Sequence, residues 1–237
     1  MAIIIGGLQK VTLVDYPAKV ACTVFLSGCN FRCPFCYSQE LVLPEFIKNH
    51  PQINEEQFFS FLKKRKGLID GCVVCGGEPT INPELPKFLK KIKELGFAVK
   101  LDTNGSNPEM LKKIINEKLV DYIAMDIKAP LREDKYSQVN GVSLSIKKIK
   151  DSIDLIKNSG IDYEFRSTIV PGLHSKEDII EMANDITPAE KYFLQQFRNE
   201  KETIDLALNK INPNYPDDFL SQVEKEIAPL FKIFKIR

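Results

Sequence analysis

The chain has 237 residues, with 33 basic and 32 acidic side chains for a formal charge of +1. That balance gives no global field for nucleic acid or an anionic membrane, and the length reaches the upper range of one domain with a substantial core. The apolar run Ala2 to Ile5 is too short for a signal peptide or a spanning helix, so the sequence predicts a cytosolic protein. In a reducing compartment six cysteines point to metal or redox chemistry rather than a disulfide framework. Only two histidines, His50 and His174, argue against a histidine-rich zinc enzyme.

Residues 1–19 read as an irregular or hairpin lead-in to a first strand at Val20 to Leu26. Asn54 caps a helix that opens on Glu55 and Glu56, closes on Lys63 to Lys66 and stops at Gly67, in the sense the helix dipole favours. A strand at Cys72 to Cys75 follows. Asn82-Pro83 then opens a helix with Leu85, Phe88, Leu89, Ile92 and Leu95 on one face. Ala98 to Leu101 is the third strand, Asn107-Pro108 starts the next helix, and Tyr122 to Met125 is the fourth strand. Ser145 begins a helix aligned on Ile146, Ile149, Ile153 and Ile156. Strand Tyr163 to Val170, a capping box at Ser175 to Asp178 and strand Tyr192 to Leu194 complete the repeats. Pro213 to Pro216 introduces a C-terminal helix and a last strand.

Strand and helix thus alternate about six times, which predicts parallel strands with right-handed crossovers. The expected architecture is α/β, a partial (β/α)6 TIM-like barrel with short N- and C-terminal additions. It is read as one domain over 1–237 with a core of about 20–197. Polar motifs follow successive strands, as at the C-terminal face of a parallel barrel; a doubly wound sheet would gather only some of them, at its switch point.

Cys29, Cys33 and Cys36 form a C-x3-C-x2-C loop after the first strand, with Phe35 before the last cysteine. Three thiolates on one loop suit an iron–sulfur cluster with one iron left free, or a zinc site completed by Cys72 or Cys75. Gly76-Gly77 reads first as a strand-to-helix turn, while Glu78 can accept hydrogen bonds from a cationic amine. Asp126 and Lys128 make either a salt bridge or a ligand pair. Arg166, on an otherwise buried strand, needs a carboxylate partner. Thr103-Asn104-Gly105 is read as a capping turn, His174 as a surface loop residue and Cys22 as core. Cys72 and Cys75 point to opposite faces of a strand and are assigned to packing. Taken together, Glu78 for an ammonium, Lys128 or Arg166 for a carboxylate, and Asp126 or Asn104 for hydroxyls suit a zwitterionic amino acid joined to a ribose.

The cysteine loop with Gly76-Gly77-Glu78-Pro79 resembles the radical S-adenosylmethionine superfamily. The lead-in Gly6 to Pro17 and the run Phe25 to Cys36 are similar to the activating proteins of anaerobic ribonucleoside-triphosphate reductase and of pyruvate formate-lyase. The resemblance implies that Cys29, Cys33 and Cys36 hold a [4Fe–4S] cluster whose fourth iron is chelated by S-adenosylmethionine. It implies Phe35 near the adenine, Gly76, Gly77 and Glu78 at the methionine amine, and Asp126, Lys128 and Arg166 at the ribose or carboxylate. Thr103 and Asn104 fit the same pocket. Reductive cleavage would yield methionine and a 5′-deoxyadenosyl radical.

In activases that radical takes a hydrogen from one glycine of a partner, so the resemblance implies a glycyl-radical enzyme, most like anaerobic ribonucleotide reductase, and a low-potential electron donor. No nucleic acid and no membrane are expected as partners. Two departures concern the partner: Tyr37-Ser38 stands where many activases carry His-Asn, and Gln196 and Arg198 stand where some relatives place a histidine. The alternatives are an activase of a pyruvate formate-lyase-like enzyme, a radical enzyme acting on a small molecule, and a zinc-stapled binding protein without catalysis.

Overall fold

In the computed structural model, which describes residues 3–237, the apolar β-branched runs form one eight-stranded sheet. Met1 and Ala2, where the apolar N-terminal run begins, lie outside the described residues. β1 (Ile5–Thr12) pairs antiparallel with β2 (Ala21–Leu26), which makes the lead-in a hairpin. Short helices α1 (Gln39–Val42) and α2 (Pro44–Ile47) and the longer α3 (Glu55–Arg65) lead to β3 (Gly71–Gly76). Then come α4 (Leu85–Glu94), β4 (Ala98–Thr103), α5 (Pro108–Asn116) and β5 (Tyr122–Asp126). Helices α6 (Glu133–Asn140) and α7 (Ile146–Lys157), β6 (Asp162–Ile169), α8 (Lys176–Ile186) and β7 (Ala189–Gln196) follow. The chain ends in α9 (Phe219–Ile227) and β8 (Phe231–Ile236).

From β2 to β8 every neighbouring pair is parallel and the spatial order is the chain order. A doubly wound sheet would reverse its order at a switch point; unbroken order with right-handed crossovers keeps all helices on one side and curls the sheet. β1 and β8 are the two edges, so the barrel is open. The six predicted units are β2 to β7, and the C-terminal addition extends them by one more parallel strand.

The alternation of strand side chains separates two interiors. Val24, Val74, Leu101, Ile123, Phe165 and Leu194 face the helices and share the large core with Phe58, Leu89, Ile114, Ile153 and Ile179. The opposite face holds a much smaller apolar cluster of Tyr16, Ala21, Val73 and Tyr122. Charge occupies the rest of that inner face. Lys100 is 1% exposed, with Nζ 2.5 Å from Asp102 Oδ1 and 5.9 Å from the Tyr122 ring centre.

Helix starts follow local chemistry. Asn54 and Gln57 close a capping box on α3, Asn107 accepts from Met110 N on α5, and Ser175 and Asp178 close a box on α8. The expected start at Asn82-Pro83 is a correction. Asn82 donates to Pro79 O and closes the preceding 3-10 turn, so α4 begins later, after Glu84.

Candidate active site

The cysteine loop leaves β2 at the C-terminal mouth of the barrel and is stitched to the end of β3. Gly77 N donates to Leu26 O at 2.9 Å and Glu78 N to Gly28 O at 2.8 Å. A Cβ on Gly76 or Gly77 would fall 2.2 Å from Leu26 O or 2.0 Å from Gly28 O, so this approach requires glycine at both positions. The pair therefore does more than turn the chain: it docks Glu78 against the cysteine loop.

Within the loop, Phe31 N donates to Cys29 Sγ at 3.4 Å, and Arg32 Nη1 folds back onto the carbonyls of Cys29 and Phe31 at 2.7 Å each. Ile204 N and Asp205 N donate to the carbonyls of Cys36 and Pro34, both at 2.9 Å, which straps the loop from the C-terminal side. Burial pushes the thiols of Cys29 and Cys33 up to about 12 and about 11 and raises Cys36 as well. Metal binding here must displace those protons. Among the described residues no three Cys, His, Asp or Glu side chains converge as the shell of a single ion. Three thiols on one loop suit three corners of a polynuclear cluster, with one corner left to another ligand.

One cavity of about 240 Å³ brings together all twelve residues singled out in the sequence: Cys29, Cys33, Phe35, Cys36, Gly76, Gly77, Glu78, Thr103, Asn104, Asp126, Lys128 and Arg166. Glu78 is buried and already bonded. Its Oε1 accepts from Thr80 N, Thr80 Oγ and Thr103 Oγ at 3.0, 2.5 and 2.8 Å, while Oε2 accepts from Asn104 N at 2.6 Å. Glu78 therefore ties β3 to β4, and the oxygen with capacity for a further donor is Oε2. Burial raises its pKa, against the pull of these donors. Asn104 in turn donates to Asn30 Oδ1 at 3.1 Å, linking the end of β4 to the cysteine loop.

Across the cavity the charges are matched. Lys128 Nζ lies 2.9 Å from Asp126 Oδ2 and 5.9 Å from the Phe35 ring centre. Arg166 meets Asp102 at 3.0 Å and Asp126 at 3.1 Å. Burial alone would raise Asp126, but the Lys128 ammonium and the Arg166 guanidinium outweigh it and hold the carboxyl at about 2.

Two sequence assignments are corrected. His174 is 3% exposed, not a surface residue: Nδ1 accepts from Val170 N at 3.0 Å, which leaves Nε2–H to donate to Lys128 O at 2.8 Å. It is buried because it braces the ends of two strands. Cys72 does pack under the helices beside its register partner Cys22, but Cys75 occupies the alternate side and lines the cavity near Asp102 and Arg166. Asp102, Thr168 and Gln195 also line the cavity without having been singled out for it. Thr168 was legible as the residue two beyond Arg166, hence on the same face, and Gln195 is its register partner on β7.

The sequence pattern of the Radical SAM superfamily matches residues 23–186. A Methanocaldococcus jannaschii protein provisionally named a glycyl-radical enzyme activating enzyme is 32% identical over 216 residues, covering 89% of this chain and 86% of that one. The 7-carboxy-7-deazaguanine synthase of Thermococcus kodakarensis is 27% identical over 154 residues, 58% of each chain. Among solved structures, Streptococcus suis SuiB bound to S-adenosylmethionine matches with a TM-score of 0.62 at 16% identity. That match covers 90% of this chain and 51% of SuiB, so the chain spans about half the length of that protein and the likeness is one of fold.

Proposed function

Since this chain belongs to the radical S-adenosylmethionine superfamily, whose cofactors are a [4Fe–4S] cluster and S-adenosylmethionine, we propose that it is an activase that installs a glycyl radical on a partner enzyme. Membership sets aside the zinc-stapled binding protein. When bound, the cluster supplies the electron that cleaves S-adenosylmethionine to methionine and a 5′-deoxyadenosyl radical.

The roles proposed for this chain's residues follow their places in the cavity. Cys29, Cys33 and Cys36 hold the cluster. Glu78 Oε2, with the close backbone of Gly76 and Gly77, takes the methionine amine. Lys128 faces the carboxylate, and Asp126, held ionised, accepts from a ribose hydroxyl. Phe35 offers its face to the adenine. Arg166 keeps Asp126 and Asp102 fixed in charge and direction. Thr103 and Asn104 hold Glu78 from the β4 side.

The paired charges on the cavity wall carry the choice of a macromolecular substrate. Both cations on that wall are matched by carboxylates, whereas a polyphosphate substrate calls for surplus positive charge. A glycine on a partner's loop, entering from the open mouth, is neutral and calls for no such charge. The naming of the M. jannaschii relative, matched over most of both chains, supports the same reading. Anaerobic ribonucleotide reductase is the proposed partner, with a low-potential protein as electron donor.

The test is anaerobic incubation of the iron-loaded, reduced protein with S-adenosylmethionine and anaerobic ribonucleotide reductase. Electron paramagnetic resonance should show a glycyl doublet, with one 5′-deoxyadenosine formed per radical. Turnover to 5′-deoxyadenosine without the doublet would reject this partner. A small-molecule substrate, the reading favoured by the deazaguanine synthase relative, would instead accelerate that turnover.

A further inference from the structure

Thr168 on β6 and Gln195 on β7 are register partners, so their side chains stand side by side, and both line the cavity. The charged and amide groups on the neighbouring strand ends are already engaged. Thr103 and Asn104 donate to Glu78, Arg166 joins Asp102 to Asp126, and Lys128 pairs with Asp126. By contrast, neither the Thr168 hydroxyl nor the Gln195 carboxamide makes a hydrogen bond among the described residues. Both side chains are half-buried and their polar atoms stay accessible.

Position and chemistry together indicate what this pair can recognise. Order along the chain is order around the barrel, and the groups proposed for S-adenosylmethionine run from the cysteine loop to the end of β5. Thr168 and Gln195 lie beyond them, with only β8 between Gln195 and the open edge. Both are neutral in a cavity whose other polar groups are largely paired charges. A carboxamide carries a donor and an acceptor side by side, the complement of a peptide unit, and a hydroxyl turns to serve as either. A glycine has no side chain, so the peptide groups around it are the handles by which its Cα can be placed.

We infer that Gln195 and Thr168 bind the backbone of the partner's glycine loop and set the glycine Cα for hydrogen transfer. One hydrogen atom passes from that Cα to the 5′-deoxyadenosyl radical, giving 5′-deoxyadenosine and the glycyl radical. The assignment deepens the activase reading and rests on it. An adenine edge also pairs with a carboxamide, and the experiment separates the two.

The test counts 5′-deoxyadenosine formed per glycyl radical, using the iron-loaded protein with anaerobic ribonucleotide reductase. Calorimetry measures the affinity for S-adenosylmethionine in the same preparations. A glycine out of place lets cleavage run without transfer. In Gln195→Leu and Thr168→Val the ratio should therefore rise roughly 2- to 10-fold, the worth of one hydrogen bond, with the affinity unchanged. Thr168→Ser keeps the hydroxyl and should return the ratio to that of the unsubstituted protein. Weaker S-adenosylmethionine binding in Gln195→Leu gives the pair to the adenine and overturns the proposal. An unchanged ratio in both Gln195→Leu and Thr168→Val overturns it equally. Should Gln195→Leu lose its iron, the valine and serine variants at Thr168 decide by the same ratio. No glycyl doublet from the unsubstituted protein fails the underlying reading, and the assignment falls with it. A doublet at full yield in every variant rejects the assignment alone.

Discussion

Arg166 Nη1 lies 3.0 Å from Asp102 Oδ2, joining β6 to β4 across β5 beneath the cavity, while Nε reaches Asp126 on β5 at 3.1 Å. One planar guanidinium thus fixes two carboxylates on two strands, a task that a lysine's single ammonium performs poorly. Arg166→Leu should therefore destabilise the metal-free protein by about 3 kcal/mol in a urea titration, the lower end for breaking a buried ion pair. The lower end applies because Lys100 and Lys128 still face the two aspartates. Arg166→Lys should recover only part of the loss. Full recovery would show that charge alone, not the fork, holds the strands.

The depressed pKa of Asp126 has a consequence for acid stability. Its folded value of about 2 lies below the ordinary 3.8, so its contribution is complete above the ordinary value and is lost as pH falls from there towards the folded one. Urea midpoints measured between neutral pH and pH 2 should show that loss. Asp126→Asn should flatten this part of the profile while lowering stability at neutral pH. A variant with the same acid profile as the parent would reject Asp126 as its source.

The strands were legible because buried parallel strands read as short apolar runs, and all six predicted ones are present. The residues of the cavity were legible because they follow strands or sit within them, and order along the chain becomes order around the barrel. His174 and Cys75 were not. A lone histidine in a loop carries no mark of burial, and its partners, Val170 N and Lys128 O, are backbone groups with no sequence signature. Cys75 was misread because alternation tells that Cys72 and Cys75 face opposite ways but not which face is packed. The load on Glu78 was hidden for a related reason: two of its four donors, Thr103 and Asn104, come from the end of β4, 25 and 26 residues further along.

Cysteine substitutions separate the three environments. Cys33→Ala should abolish the visible iron–sulfur chromophore and cleavage of S-adenosylmethionine. Cys22→Ala, buried between sheet and helices, should keep both at the cost of about 1 kcal/mol of stability. Cys75→Ala should retain iron, because its charged neighbours are Asp102 and Arg166 rather than the three loop thiols. Iron analysis after anaerobic reconstitution reads all three. Loss of iron from Cys75→Ala would make Cys75 a ligand and close the position proposed for S-adenosylmethionine.

The peptide of Lys128 is held at both ends, its N–H by Tyr136 Oη at 3.4 Å and its carbonyl by His174 Nε2 at 2.8 Å. His174 therefore acts through Lys128 as a positioning residue. Its tautomer is set by the donation from Val170 N to Nδ1, and burial lowers its pKa, so the neutral ring persists below the usual histidine range. His174→Gln places an amide donor near the former Nε2, while His174→Asn is too short to reach Lys128 O. The asparagine variant should weaken S-adenosylmethionine binding by roughly 2- to 10-fold, the worth of one hydrogen bond, with the cluster chromophore unchanged. The glutamine variant should restore most of that affinity. Calorimetry on the two iron-loaded proteins distinguishes positioning from packing, since a residue that merely fills space would give equal losses in both.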